Sequence, residues 1–286
     1  MNSRFYDKVA TGMLWLAGFL ILGLLATFLF YMLYKGLPIL KWDFIIGMPS
    51  DIRAGGGVGP QLFNSFYILI LSLLFAVPVA IGAGIYLAEY AKNDKLTDII
   101  RLSTESLATV PSIVLGLFGM IIFVNLFGFG ISIIAGALTL TLLNMPVLVR
   151  VTEESLRSVP AYYREASLAL GATKWQTIWR VVLPNALPGI VTGLTLTAGR
   201  AIGETAILIF TAGTTASRSL GDMDVFAAGE TLAVHMWYVM AIGLVPDRMD
   251  VANGTGALLI LMILCFNFIF TVPAKLLQRK MGTTGH

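Results

Sequence analysis

Six apolar runs, each near the length that carries an α-helix through a lipid bilayer, constrain this chain more than any other feature. A hydrocarbon core about 30 Å thick takes roughly 20 residues of helix, and only helices or closed barrels satisfy their own backbone hydrogen bonds in it. The runs cover Met13–Leu33, Phe66–Leu87, Leu107–Phe127, Ile131–Val149, Ile190–Phe210 and Gly256–Val272, with only Gly128-Phe129-Gly130 between the third and fourth. The expected fold is all-α: an integral membrane helical bundle of about six transmembrane helices, forming a single transmembrane domain over residues 1–286. Charged residues make up 12% of the chain, against about 25% in soluble domains, which argues against a water-soluble core. The basic residues are dispersed between apolar runs and form no single face, which argues against nucleic acid as a partner. Cys265, the single cysteine, lies inside an apolar run, so neither an internal disulfide nor a multi-cysteine metal site is available. The first run continues uncharged to Tyr34, beyond the length of a signal-peptide core, and is expected to be a retained span.

Basic loops stay on the cytoplasmic side of a membrane. With the N-terminus placed inside, 13 of the 19 Lys and Arg fall on inner segments, among them Arg4, Arg101, Arg150, Arg164, Lys174, Lys275, Arg279 and Lys280. Five fall outside, including Lys35, Arg53 and Arg218, and Arg200 lies within a span. Both termini are therefore predicted to be cytoplasmic. Two long outer stretches remain, Lys35–Ser65 with its Gly55-Gly56-Gly57 run, and an external loop over residues 211–255. Within the latter, Glu230–Ala241 reads either as a helix lying on the membrane surface through Leu232, Trp237 and Tyr238, or as a mobile loop with aromatic anchors. His235 has no second metal ligand near it in sequence and reads as a surface or packing histidine.

Residues 150–188 are too polar to insert and too patterned for a linker. Pro160 suits the first turn of a helix running to about Leu170, and Gly171 permits a turn. Thr173 with Gln176 forms a capping box for a second helix, which Pro184 and Pro188 are expected to close before the membrane. Glu165-Ala166-Ser167, then Gly171, then Val181-Val182-Leu183-Pro184 resembles the E-A-A loop of type I ABC importer permeases at full spacing, with Ser167 and Val181 as small departures. The resemblance implies the MetI-like permease fold and a cytoplasmic coupling loop whose helix, Ala161 to Leu170, docks into a groove on a separate ATPase subunit. It assigns coupling roles to Tyr163, Glu165, Ala166, Ser167, Gly171, Leu183 and Pro184. The chain has no Gly-Lys dipeptide and hence no phosphate-cradling P-loop of its own. ATP and Mg are therefore expected on the partner, no cofactor or metal on this chain, and no catalytic residues.

Charges deep in a membrane are functional candidates by default. Arg200 and Glu204 stand four residues apart in the fifth run, which places them on one helix face roughly 6 Å apart along the axis. A guanidinium in a narrow path can bind an oxyanion bidentately while a carboxylate holds it in place, and Thr205 extends the polar stripe. A structural ion pair between spans is the equal alternative on chemistry alone. Pro111 and Pro146 read as hinges or as static kinks. The runs Ile85-Tyr86-Leu87-Ala88-Glu89-Tyr90-Ala91, Thr109-Val110-Pro111-Ser112 and Arg200-Ala201-Ile202-Gly203-Glu204-Thr205 resemble the phosphate-specific branch of the same family, its A-type permease most closely. That resemblance implies import of inorganic phosphate across the cytoplasmic membrane of a prokaryote. It implies a C-type phosphate permease subunit or a second copy as partner, with two ATP-binding subunits and an external phosphate-binding protein. Alternatives are the same machine for sulfate or molybdate, a self-contained secondary carrier with Glu204 relaying protons, and a sensor whose loop binds a regulator.

Overall fold

A computed structural model describes residues 3–280 apart from residues 51, 93 and 216–218, with side chains described between residues 6 and 270. Arg218 and the side chains of Arg4, Lys275, Arg279 and Lys280 lie outside the described residues. The described residues form helices and connecting turns, with no strand among them. Five helical stretches are long and apolar enough to cross a membrane: Tyr6–Ile39, Gly59–Tyr90, Ile133–Arg157, Lys174–Ile202 and Arg248–Phe270. A sixth exists only as a bent pair, Lys95–Ala108 and Ser112–Leu126, whose axes differ by 99°.

In chain order the helices are α1 (Ser3–Gly36), α2 (Trp42–Ile46), α3 (Gly59–Ile85), α4 (Lys95–Ala108), α5 (Ser112–Gly119) and α6 (Ile133–Arg157). They continue as α7 (Ala161–Ala169), α8 (Lys174–Thr177), α9 (Leu183–Ile202), α10 (Ala206–Thr211), α11 (Leu232–Ala241) and α12 (Arg248–Lys280). The centre is α3 against α6, where Thr141 Oγ1 donates to the Ser72 carbonyl at 3.0 Å and a Cβ on Gly84 would stand 2.5 Å from Thr152 Cγ2. On its other side α6 meets α9 with equal closeness: a Cβ on Gly193 would lie 2.3 Å from Val151 Cγ1, and one on Gly189 2.5 Å from Ser155 Oγ. Membrane helices attract one another through such small-residue contacts, because lipid offers no hydrophobic drive between them. The most apolar stretch of α1 is unburied by the rest of the chain, and the helix meets α12 where Gly36 faces Asn253 and Ala257.

Several expected boundaries move. The third run divides at Pro111, which caps α5 instead of kinking a continuous span: lacking an N–H, it cannot continue α4. Asp94 starts α4, accepting the Thr97 backbone N–H at 2.9 Å, an interaction that holds its carboxyl below the usual range. The fourth span does not stop at Val149 but runs to Arg157, and the last, expected to be short, is the 33-residue α12. Pro184 and Pro188 do not close the second helix of the loop. A wide π-turn over Ile178–Val182 lies directly ahead of Pro184, where the ring would otherwise meet the carbonyl four residues back, and the helix enters the bundle unbroken. The glycine run folds back on α2: Gly57 N–H donates to the Met48 carbonyl at 2.8 Å, and a Cβ on Gly57 would lie 2.6 Å from Gly47. The helix expected within Glu230–Ala241 is present as α11, but it buries Leu232, Ala233, Val234, His235 and Val239 within the fold.

Candidate functional site

The loop between α6 and α9 presents α7 as an outward-facing lever. Pro160 precedes it with φ −57°, and Gly171, at φ +83°, makes the turn that side chains resist. Thr173 and Gln176 then form both bonds of the expected capping box. No residue of α7 is buried. Tyr163, Glu165 and Ala166 are exposed, as are Leu168 and Leu170, and the rings of Tyr162 and Tyr163 stack 4.5 Å apart. Two of the residues assigned to coupling fall elsewhere: Leu183 is buried among Leu156, Ile178 and Val182, and Pro184 is half-buried at the start of α9, so both shape the helix root and not the outward surface.

What fixes the lever is a set of contacts absent from the sequence reading. Arg164 donates to Glu89 Oε1 from Nε at 3.0 Å and from Nη2 at 2.7 Å, and to the carbonyls of Val159 at 2.6 Å and Leu156 at 2.7 Å. Lys174 donates to the Glu89 carbonyl and stands 4.5 Å from the Tyr90 ring centre. Ser167 Oγ and Thr177 Oγ1, 2.9 Å apart, tie α7 to α8. The π-turn at Tyr86–Tyr90, which ends α3, is thus pinned to α7 and to the end of α6. Beside it, Glu153 holds Arg101 and Arg157 at 3.0 Å each, and Arg150 reaches Glu154 at 2.9 Å and Glu105 at 3.3 Å, around an open cavity of about 290 Å³.

The second assembly is the broken span. The expected fifth helix, Ile190–Phe210, ends at Ile202; Gly203, Glu204 and Thr205 are unwound, and α10 restarts at Ala206. Arg200 and Glu204 therefore do not share a helix face. Arg200 is exposed in the last turn of α9, Glu204 is half-buried in the break, and among the described residues no ion pair joins them or engages either one. Beyond the break α10 packs closely on α5, where a Cβ on Gly116 would lie 3.0 Å from Ile207 Cα. Thr205 Oγ1 lies 3.4 Å from the Gly203 carbonyl, while Thr195 and Thr197 bond their own helix at 2.8 Å, so the threonine stripe is largely self-satisfied. Non-helical backbone at membrane depth persists where it is enclosed by protein or lines a watery path.

A third cluster joins α11 to the start of α3. Glu230 Oε2 lies 3.0 Å from Gln61 Nε2 and 3.0 Å from His235 Nδ1, all three residues being nearly inaccessible, and Ser65 Oγ accepts the Leu232 N–H at 2.9 Å. His235 is thus a packing histidine paired with a carboxylate 5 residues before it. Among the described residues no group of three or more His, Cys, Asp or Glu is arranged to hold a metal ion.

A bundle of membrane-spanning helices that offers a clamped, outward-facing E-A-A lever at one end and a broken, charged span within is a membrane component of a transport machine. The family described as binding-protein-dependent transport system inner membrane component matches residues 80–283, and the chain belongs to it. It is 44% identical to the probable ABC transporter permease protein YqgI of Bacillus subtilis over 98% of this chain and 99% of that one. It is 34% identical to the phosphate transport system permease protein PstA of Haemophilus influenzae, over 94% and 95% of the two chains. Its fold is shared with a chain of the MetNI methionine ABC transporter (TM-score 0.63, 22% identity, covering 76% of this chain and 94% of that one). It is shared also with a chain of a bacterial alginate ABC transporter solved in complex with its pentasaccharide-bound periplasmic protein (TM-score 0.65, 14% identity, 99% and 96% covered).

Proposed function

We propose that this permease carries inorganic phosphate into a prokaryotic cell, with α7 facing the cytoplasm and both termini on that side. The observation that carries the reading is Arg200: a permanent charge in a membrane helix, exposed and unpaired among the described residues, a state that lipid alone would not tolerate. It suits a path shared with a second permease subunit, a C-type partner or another copy, in which the guanidinium meets an oxyanion during passage. Glu204, which does not touch Arg200 in the described conformation, comes to orient the guanidinium as the path rearranges, and the Thr205 hydroxyl borders the same turn. Two ATPase subunits, using ATP and Mg, close against α7 and move α3 and α6 through Arg164 and Glu89. An external phosphate-binding protein delivers the ion. The PstA relatives support phosphate over other oxyanions.

The test is uptake of radiolabelled phosphate by vesicles holding the permease with its partner chains. Saturable, ATP-dependent uptake that excess sulfate or molybdate leaves unchanged is the expected result. Competition by sulfate moves the reading to that oxyanion, and uptake that survives loss of the ATPase but collapses with the proton gradient replaces it with a secondary carrier.

A further inference from the structure

We infer that Asn144 of α6 is a second contact for the transported oxyanion, an amide that meets the ion at the level of Arg200; this deepens, and rests on, the reading of Arg200 above. Asn144 is 1% exposed, and among the described residues neither its Nδ2 nor its Oδ1 has a hydrogen-bond partner. Its neighbours along α6 show that satisfaction was available: Thr139 donates to the Ala135 carbonyl at 2.7 Å, and Thr141 to those of Ala137 at 2.8 Å and Ser72 at 3.0 Å. A buried amide left wholly unpaired is unfavourable and rare, so it calls for a role.

The register of the α6–α9 seam supplies one. Ser155 packs on Gly189 and Val151 on Gly193, so one turn along each antiparallel helix keeps them in step. Seven residues are close to two full turns and return to nearly the same face. Asn144 lies seven residues before Val151, and Arg200 seven after Gly193, which sets them level along the seam, Asn144 buried and Arg200 exposed at its edge. The unwound Gly203-Glu204-Thr205 segment follows immediately, where backbone has left the helix. From a third side α12 brings Asn267, whose two amide atoms lie 3.7 Å from where a Cβ on Gly199 would stand.

In the described conformation the seam seals Asn144. Separation of α6 from α9 uncovers it beside Arg200, and the ion then supplies the bonds that the sealed amide lacks. Guanidinium donors suit any oxyanion. An amide adds both a donor and an acceptor, which suits one that still carries a proton, such as hydrogenphosphate, better than fully ionised sulfate.

The test uses the complete complex in vesicles with saturating loaded binding protein, reading phosphate imported per ATP hydrolysed. Asn144→Leu, which keeps volume and removes the amide, is expected to lower that ratio at least 10-fold. Asn144→Ser, smaller but still a donor and acceptor, is expected to keep most of it. Added inorganic phosphate is expected to raise the melting temperature of the purified wild-type complex more than sulfate does, a difference that Asn144→Leu erases. An unchanged ratio in Asn144→Leu, a Ser variant worse than Leu, or equal shifts from both ions in the wild type would overturn the inference. Arg200→Gln in the same vesicles separates the two readings: its loss of uptake beside an intact Asn144→Leu strikes only Asn144, whereas full uptake in Arg200→Gln strikes the reading beneath it.

Discussion

The chain treats its charges in opposite ways at the lever and in the broken span. Around α7, Arg164, Arg101, Arg157 and Arg150 each hold a carboxylate within 3.3 Å, and Arg164 adds two carbonyls. At the break, neither Arg200 nor Glu204 makes an ion pair among the described residues. Paired and partly buried charges fix geometry, because breaking one leaves the other stranded. Unpaired charges at membrane depth do the reverse and await a partner from outside the chain. Under the proposed function this difference separates force transmission, which needs a rigid link, from ion passage, which needs a contact that forms and dissolves.

The sharpest way to break the comparison is to make the lever resemble the span. Arg164→Ala strands Glu89, whose side chain is 8% exposed, a change worth about 3–5 kcal/mol when a buried pair is cut. Uptake and ATP hydrolysis by the assembled complex are expected to collapse together, measured in vesicles with membrane content of the chain held equal. Gly171→Val forces a β-branched residue to φ +83°, at a cost of about 1–3 kcal/mol. It should reduce uptake roughly tenfold, because α7 leaves its orientation, while Gly171→Asn, better able to adopt that region, should lose far less. Thr173→Ala removes the capping box and should lower stability by about 1 kcal/mol with uptake nearly intact, read from thermal unfolding of the purified complex. If Thr173→Ala instead cost as much uptake as Arg164→Ala, the lever would depend on α8 and not on its pin to α3.

Patterns confined to a few residues were legible in the sequence. The turn at Gly171 and the Thr173–Gln176 capping box act within one or two helical turns, and both are present; the apolar runs are continuous stretches of sequence, and five of the six correspond to helices long and apolar enough to span a membrane. The break after Ile202 was not legible, because Ile190–Phe210 is apolar on both sides of it and the close contact of α10 with α5 is made with a residue distant in sequence. That break undid the shared face of Arg200 and Glu204. The Arg164–Glu89 pin joins residues 75 positions apart, and the Glu230–Gln61 contact residues 169 apart, so neither leaves a local trace. Leu183 and Pro184 matched the family pattern while serving the helix root, which shows that a motif marks an element more surely than a contact surface.

One measurement tests the division directly: phosphate imported per ATP hydrolysed, for Arg200→Gln beside Arg164→Ala, with loaded binding protein at saturation. For Arg200→Gln the account predicts a ratio lowered roughly 100-fold, the equivalent of about 2.8 kcal/mol lost from ion passage. For Arg164→Ala it predicts uptake and hydrolysis falling in proportion. An unchanged ratio in Arg200→Gln would contradict it, and would make the unpaired guanidinium a tie to the neighbouring subunit.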